Sequence, residues 1–484
     1  MLRHMRHVFG GEDFVKQPKG IMDMRCGEAQ LLVDIYSYIT EYMPRGDSFD
    51  AHPLLCIPCD DDSETRVKAG IRLGKADIPY TPVGKGDIGK PAETWAYMKK
   101  TSKRKKIPEA DTILHVRAFR DHLRKFAPPD KPLADELNVT RFAKEQMCDF
   151  VHLDKDWKPI KAADIFASLV EYFQRWSKAM EGSFGLCVLE EMMLDIPTSA
   201  NFINDSLEFS ASTIGALSRE YRVSAGTFIL AAAMNGLVPA KYDDVVNYPE
   251  KGLYTLVINQ HLIQKPFRIR LAEMTDVDEL VRLEEVGWAP DLRKSKEHLI
   301  RRLETSPTTC FVCELNDRII AVMYVQKISN MDAIETYDKP HKAYDPDGQI
   351  LQLLAIVADK AQDVTALAVG NELRNFVLHL ARMDPAVDFV CGVTRCGDFR
   401  GGSPQDMLGY VDRHRSNEIM DPVLGFHTAY GASIVRCVLD YRPEDKANQG
   451  VGVLIRYDVK SWKAKEVDLK AQVRPLYKSE DSDR

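Results

Sequence analysis

Between Gln264 and Phe267 one series of strand and helix patterns ends and a second begins, and this restart constrains the chain more than any other feature. Upstream, apolar stretches such as "GIMDMRCG" (20–27), "HPLLCIPC" (52–59), "DTILHVRAF" (111–119) and "FGLCVLEEMML" (184–194) alternate with helical patterns such as "EAQLLVDIYSYITEYM" (28–43) and "ADIFASLVEYFQRWSKAM" (163–180). Strands alternating with helices predict a parallel α/β sheet. Downstream the order is mixed: strand "PFRIRLA", helices "TDVDELVRLEEVGW" and "SKEHLIRRLETS", then strands "TCFVCELN", "RIIAVMYVQKI" and "QILQLLAIV". Helix "NELRNFVLHLARM" and strands "VDFVCGVTRC" and "ASIVRCVLDYR" complete it. A chain of 484 residues also exceeds what one core usually organises. The expected plan is an α/β domain over 1–264, a mixed α/β domain over 267–459 and a charged, poorly ordered tail over 460–484.

Net charge is −7 with a pI near 6.0, which argues against a general binder of nucleic acid or of membrane surfaces. The basic run "KKTSKRKKIP" at 99–108 reads as a solvated loop. Ten cysteines in a chain this long, which does not need disulfide staples, point to a reducing compartment, so the expected location is cytoplasmic. No apolar run approaches the roughly 20 residues needed to cross a bilayer. The start, "MLRHMRHVFGGEDF", lacks the apolar stretch of a secretory signal, and plastid targeting stays an open alternative.

In the first half, "DMRCGEAQ" stands where a strand ending in D-x-G-x-G-x-G would hold a methyl donor. Glycines in such a turn let the backbone approach the methionine portion of S-adenosylmethionine, and an acid after the next strand binds the ribose. Asp23 and Gly27 are retained, but Arg25 and Ala29 occupy glycine positions, where a β-carbon blocks the approach or demands a positive φ. Asp60 is the candidate ribose acid, although Pro58 is expected to interrupt its strand; Asp87 in "GDIGKP" suits the adenine side. The reading is a degenerate, Rossmann-like methyltransferase fold in which S-adenosylmethionine binding and methyl transfer are lost.

The stretches "GDIGKPAETW", "ADTILHVRAFRDHLRKFAPPDK" and "YFQRWSKAMEGSFGLCVLE", together with "GVTRCGDF" and "DPVLGFHTAYGASIVRCVLDYRPEDKANQGVGVLIRYD", carry a family resemblance. They resemble the SxtA-type, polyketide-synthase-like starter proteins of saxitoxin biosynthesis, found in cyanobacteria and dinoflagellates, and this chain looks like a divergent dinoflagellate form. The similarity runs from about Pro18 to Tyr457 and implies a methyltransferase domain followed by a GNAT-like loading domain. Such relatives carry a helical region before the cofactor turn, where only a short leader precedes Ile21 here. They also hold a mononuclear metal with His, Asp and Gln side chains. Of their D-H-D motif this chain keeps Asp121 and His122 but has Leu123, and Met192 stands where relatives place a histidine. A thioether is a poor ligand for a hard divalent ion, so no metal is expected.

For the second domain the resemblance implies removal of CO2 from a malonyl-type thioester, leaving an acetyl or propionyl starter on an acyl carrier protein. Decarboxylation passes through an enolate, which needs donors aimed at the thioester oxygen and a proton for carbon. Thr394 in "GVTRC" matches the family's hydroxyl donor, and His427 in "GFHTAYGA" the histidine that stabilises the enolate and supplies the proton. Arg442 in "DYRPED" matches an anchor for carboxylate or phosphate, and Trp288 in "EEVGWAPDLR" an aromatic wall that shields the carboxylate from water. Taken one at a time, each could equally be a packing residue or, for Arg442, the ion-pair partner of Glu444 or Asp445.

The turn before "NELR" is where a GNAT protein cradles the pyrophosphate of coenzyme A on backbone amides. Here it reads "DKAQDVTALAVG", keeping Gln362 and Gly370 but adding Asp363 and the β-branched Val364 and Thr365. Acyl-coenzyme A is therefore expected to bind weakly and carrier-bound acyl-phosphopantetheine to be the better ligand. The carrier is expected in trans, with an aminotransferase of the same pathway as a further partner. Two alternatives stand beside this reading: a conventional N-acyltransferase using acyl-coenzyme A, and a non-catalytic scaffold.

Overall fold

The computed structural model describes residues 1–102, 107–147, 149, 152–194, 199–200, 214–215, 217–240, 244–248, 255–334, 336 and 340–460. The charged tail beyond 460 and positions 103–106 of the basic run lie outside the described residues. The described chain forms two compact units, one comprising Met1–Pro132 and Gln146–Lys265, the other Leu133–Glu145 and residues 266–460. No helix among the described residues is long and apolar enough to cross a membrane.

The first unit opens with helix α1 (Leu2–Phe9), then β1 (Gly20–Asp23), α2 (Gln30–Tyr42), β2 (Leu55–Asp60), α3 (Ser63–Lys75), β3 (Gly84–Lys85), α4 (Pro91–Thr101) and β4 (Ile113–Ala118). After α5 (Asn138–Gln146), which belongs to the second unit up to Glu145, the first unit resumes with the small hairpin β5 (His152–Leu153) and β6 (Pro159–Ile160), then α6 (Ala162–Ala179), β7 (Leu186–Met192), α7 (Ala225–Ala233), β8 (Leu237–Pro239), β9 (Asp244–Tyr248) and β10 (Thr255–Gln264). The main sheet has the order β3-β2-β1-β4-β7-β10-β8, with β9 paired to β10. Its first five strands are parallel, and β10 runs antiparallel to β7 and β8. Helices lie on strands whose residues are almost all buried, as a doubly covered parallel sheet requires. Because β2 and β4 flank β1, the crevice at the end of β1 is the switch point where ligands bind in such sheets.

Pro58 does not interrupt β2, contrary to the sequence expectation. The strand pairs with β1 from Leu55 through Pro58 and with β3 at Cys59 and Asp60, so it keeps partners on both sides of the proline and loses only one ladder donor. Asp60 therefore stands at a regular strand end.

The second unit contains β11 (Arg268–Leu271), α8 (Val277–Gly287), α9 (Lys296–Thr305), β12 (Phe311–Leu315), β13 (Arg318–Ile328), β14 (Ile350–Ala358), α10 (Gln362–Ala366) and α11 (Val369–Met383). It continues with β15 (Phe389–Thr394), α12 (Pro404–Arg415), α13 (Pro422–Thr428), β16 (Ser433–Val438) and β17 (Gly452–Tyr457). The sheet order is β11-β12-β13-β14-β15-β17-β16, antiparallel except between β14 and β15. That parallel pairing stops at Leu353 opposite Gly392. Beyond it β14 stays with β13 to Ala358, while β15 stays with β17 to Thr394. Leu354 is an extra residue in the β13–β14 ladder, a bulge that bends β14 away at the point of divergence. The strands splay, and the gap between them is the site.

Residues 133–145 join this unit because the start of α5 is bound to it. Glu273 accepts from the backbone amides of Asn138 (2.7 Å) and Val139 (3.1 Å), and the Asn138 side chain donates to the Ala272 carbonyl at 2.6 Å. A carboxylate on a helix N-terminus satisfies orphan donors and favours the helix dipole.

Candidate functional site

A cavity of about 460 Å³ lies between the splayed strands of the second unit. Trp288, Thr394, His427 and Arg442, the four residues singled out from the sequence, all line it, and so does Gly370. They come from different elements: Trp288 ends α8, Thr394 ends β15, His427 lies in α13, and Arg442 follows β16. The remaining wall is largely aliphatic and aromatic, with Met323, Leu353, Ile356, Phe426 and Ile455. A mostly apolar pocket with a few convergent polar groups is how small-ligand sites are built. Two glycines keep its floor thin: a β-carbon on Gly452 would sit 2.3 Å from Val393, and one on Gly392 would lie 3.1 Å from the Leu353 carbonyl oxygen.

His427 is 8% exposed, and its Nδ1 lies 2.7 Å from the Tyr457 hydroxyl. Burial, reinforced by the positive charge of Arg374, lowers its pKa to about 3, so the ring is neutral near pH 7. In the tautomer in which the tyrosine hydroxyl donates to Nδ1, Nε2 carries the hydrogen and is the nitrogen that can donate to a ligand. Thr394 donates its one O–H to the Arg395 carbonyl over a long 3.4 Å, a weak bond that a ligand oxygen in the cavity can replace. The Arg442 guanidinium stands 5.2 Å from the Trp288 ring centre, is held by the Leu292 carbonyl and reaches Glu444 at 3.3 Å. Thus Arg442 is both part of the cavity wall and an ion-pair partner, and the two readings of it do not compete. A second ion pair at the cavity, Arg395 with Asp445 at 3.0 Å, was not anticipated from the sequence.

The turn before α11 is helical rather than an open loop. Gln362 begins α10, and the amides of Ala361, Thr365, Leu367, Ala368, Asn371 and Glu372 all bond to neighbouring oxygens of the chain. Ala368 takes a left-handed φ of 50°, and Asp359 fixes the start of the turn through Arg282 (2.9 Å) and Arg318 (2.8 Å). Gly370 lies in the first turn of α11. A β-carbon there would meet only ordinary contacts, 3.7 Å to Ile356 and 3.9 Å to Phe426, so the glycine leaves room in the cavity that packing alone does not require.

In the first unit Asp23 is buried, and burial raises its pKa to about 7. Its carboxylate accepts from the Arg25 amide at 3.1 Å. Asp60 accepts from the amides of Gly27 (2.9 Å) and Asp62 (3.0 Å), so it braces the turn. Gly27 has φ +56°, and the Arg120 guanidinium lies where a β-carbon on Gly27 would stand, 2.4 Å away. Arg25 donates to the Leu123 carbonyl at 3.0 Å, and Ala29 takes the positive φ of 64° anticipated as its cost. Asp87 bonds to the Gly89 amide at 2.8 Å and shapes the turn into α4. The remnant of the metal motif is tied up internally: Asp121 pairs with Arg117 (2.9 Å) and Tyr172 (2.6 Å), and His122 with Glu190 (2.7 Å). Met192 is buried in β7, and among the described residues no cluster of His, Cys, Asp and Glu is arranged to hold a metal ion.

Residues 1–260 match the family described as AprA MT2-like domain. The chain is 36% identical to the GphF GNAT-like decarboxylase solved in complex with isobutyryl-CoA, a match that covers 40% of this chain and 99% of that one, with a TM-score of 0.36. It is 30% identical to the loading GNATL domain of CurA from Lyngbya majuscula, again over 40% of this chain and 99% of that one, with a TM-score of 0.38. Against the probable hydrolase YhcX of Bacillus subtilis (strain 168) it is 24% identical over 227 residues, which is 45% of this chain; the chain spans only 42% of that protein's length. Through residues 1–260 the chain belongs to the AprA MT2-like domain family, and a GNAT-like domain follows.

Proposed function

We propose that the second unit removes CO2 from a malonyl-type acyl thioester and leaves a short acyl starter. The observation that carries this reading is the convergence of Trp288, Thr394, His427 and Arg442, from four separate segments, on one apolar cavity. The sequence identity to a domain described as a GNAT-like decarboxylase supports the reaction class. In this reading the substrate carboxylate lies toward Trp288 and Arg442, and the thioester oxygen toward Thr394 and His427. Cleavage of the carbon–carboxylate bond releases CO2 and puts the electron pair on the enolate. Thr394 and His427 Nε2–H donate to the enolate oxygen, and an apolar enclosure strengthens both bonds. The enolate carbon then takes a proton from the His427 side, and solvent replaces it. A neutral imidazole serves this as a donor; as a base for removing a proton from an amine it is weakened by the same burial.

The GphF structure holds an acyl-CoA, and acyl thioesters of that kind are the ligand class. We favour delivery on an acyl carrier protein in trans, because α10 takes up several amides of the turn, among them those of Thr365, Leu367 and Ala368, that an open cradle would turn to a pyrophosphate. A saxitoxin-like pathway, with an aminotransferase beside the carrier, is the setting this proposal carries over from the sequence resemblance. At the first unit we read the turn as one that does not hold S-adenosylmethionine, a reading supported by Arg120, whose guanidinium lies 2.4 Å from where a β-carbon on Gly27 would stand. The unit is read as non-catalytic.

Purified protein is expected to release CO2 from malonyl- or methylmalonyl-carrier protein, read by mass spectrometry of the carrier thioester. His427→Ala and Thr394→Ala are expected to lower that rate by about 10²- to 10³-fold each. Absence of any acetyl or propionyl product with the wild-type chain ends the decarboxylase reading, and acylation of an added amine in its place establishes the conventional transferase.

A further inference from the structure

Arg374 is fully buried in α11 and none of the described carboxylates pairs with it. Its guanidinium lies 3.7 Å from the Tyr430 ring centre and 4.2 Å from that of Phe426, and it donates to the Phe426 carbonyl and, at 3.2 Å, to Asn375 Oδ1. Among the described residues its Nε has no hydrogen-bond partner, and the Tyr430 side chain is a further hydrogen-bond partner of the guanidinium. A buried charge is normally paired, because leaving it alone in a low dielectric is costly, and aromatic faces and two carbonyl-type oxygens compensate it only in part. Elsewhere in this unit buried Arg442 holds Glu444 and partly buried Arg270 holds Asp276 and Glu314, while buried Arg302 stacks on the Tyr324 ring and acts on the Glu284 carboxylate.

What lies beside the unpaired cation is the donor pair of the cavity. Phe426, under the guanidinium, packs edge-on to His427 with ring centres 4.8 Å apart, and Tyr457 holds His427 Nδ1. The charge of Arg374 acts on both His427 and Tyr457 and disfavours protonated imidazole while favouring loss of the phenol proton. Both effects polarise the same way, toward a negative charge forming in the cavity.

We infer that Arg374 is a positioning residue for the reaction proposed above, fixing the His427–Tyr457 hydrogen bond in the orientation that leaves Nε2–H as donor and backing that donor with a permanent positive charge. The inference rests on the decarboxylase reading for its chemistry and on geometry for its placement. A preorganised charge of this kind stabilises an enolate without touching it, and does little for the neutral acyl product. The groups that face His427 are Tyr457 from β17, Arg374 from α11 and its neighbour Phe426. Thr394 and the Arg395–Asp445 pair share its cavity, and His414 of α12 reaches Thr428, the next residue, at 3.1 Å. Of these only Arg374 is an uncompensated charge.

The test compares Arg374→Met with Arg374→Lys in the full chain, using malonyl-carrier protein as substrate and 13C-labelled histidine for an NMR titration of His427, assigned with His427→Gln. Arg374→Met is expected to lower kcat for CO2 release by about 10- to 100-fold with KM changed less than about threefold, and Arg374→Lys to recover most of the loss. In the titration, His427 in Arg374→Met is expected to protonate at a higher pH than in wild type, with Arg374→Lys close to wild type. Equal losses in both variants with an unmoved His427 titration overturn the inference, since that is what a packing role predicts. A wild-type chain inactive on the thioester, with the titration difference present, overturns the decarboxylase reading instead and leaves the electrostatic role of Arg374 standing.

Discussion

At the scale of single residues, the ring orientation of His427 is tied to a residue thirty positions away. Tyr457, 1% exposed, is the last residue of β17, and its hydroxyl supplies the hydrogen bond at Nδ1. Tyr457→Phe removes that hydroxyl and leaves a buried ring nitrogen unsatisfied, which costs about 1–3 kcal/mol where it is not rehydrated. The tautomer then loses its bias, so CO2 release is expected to fall roughly tenfold, with far-UV circular dichroism unchanged. A variant as active as wild type would show that Tyr457 does not set the donor. Thr394, His427, Trp288 and Arg442 were legible because long motifs contain them. Tyr457 and Arg374 were not, because nothing local marks them. A faint signal exists for Arg374, which sits three and four residues before Val377 and Leu378 and so shares their apolar helical face.

At the scale of elements, the strand and helix series was readable from periodicity, and the breaks in it were not. β17 carries Tyr457 and lies between β15 and β16 in the sheet, yet its sequence offers no sign of that order. The Leu354 bulge is equally silent, since register is decided by partners rather than by the strand itself. The turn before α11 departs from an open loop for a readable reason: Ala361 to Ala366 can propagate a helix, and Asp359 holds its start through Arg282 and Arg318. Asp359→Ala removes both ion pairs and leaves α10 untethered. Coenzyme A affinity, measured by calorimetry, is then expected to rise or hold while the melting temperature falls by a few degrees, as a loss of about 1–2 kcal/mol gives. A sharp fall in coenzyme A affinity would instead mean that the tethered α10 itself binds the ligand. In the first unit, saturable binding of S-adenosylmethionine in the same calorimeter is expected to be absent, and Arg120→Ala tests whether that arginine is the obstacle.

At the scale of the whole molecule, the two units carry different burdens of buried titratable groups, and pH should separate them. In the first unit, burial holds His4 and His115 to a pKa of about 3 and His152 to about 4, against an ordinary value of 6.5, while burial raises Asp23 to about 7. Each histidine is neutral in the folded unit and takes a proton once unfolded, so its contribution is present above pH 6.5 and is lost as pH falls toward the folded value. Asp23 works the other way: folded, it holds a proton that the unfolded chain releases, so its contribution is present below about 3.8 and is lost as pH rises through 7. Between pH 4 and 6 these three imidazoles, joined by His261, whose pKa burial also lowers, oppose one carboxyl, and the net effect is a fall in stability on acidification of the order of 2 kcal/mol per pH unit. Denaturant unfolding followed through Trp176, buried in the first unit, is expected to show this slope. His115→Gln should reduce it by about one proton's worth. In the second unit His427 is the buried imidazole with a comparable depression, so its unfolding should lose less per pH unit over the same window. Stability of the first unit that is flat or rising from pH 6.5 to 4.5 would mean that these histidines are charged in the folded state, and would remove the physical basis for treating His427 as a neutral donor as well.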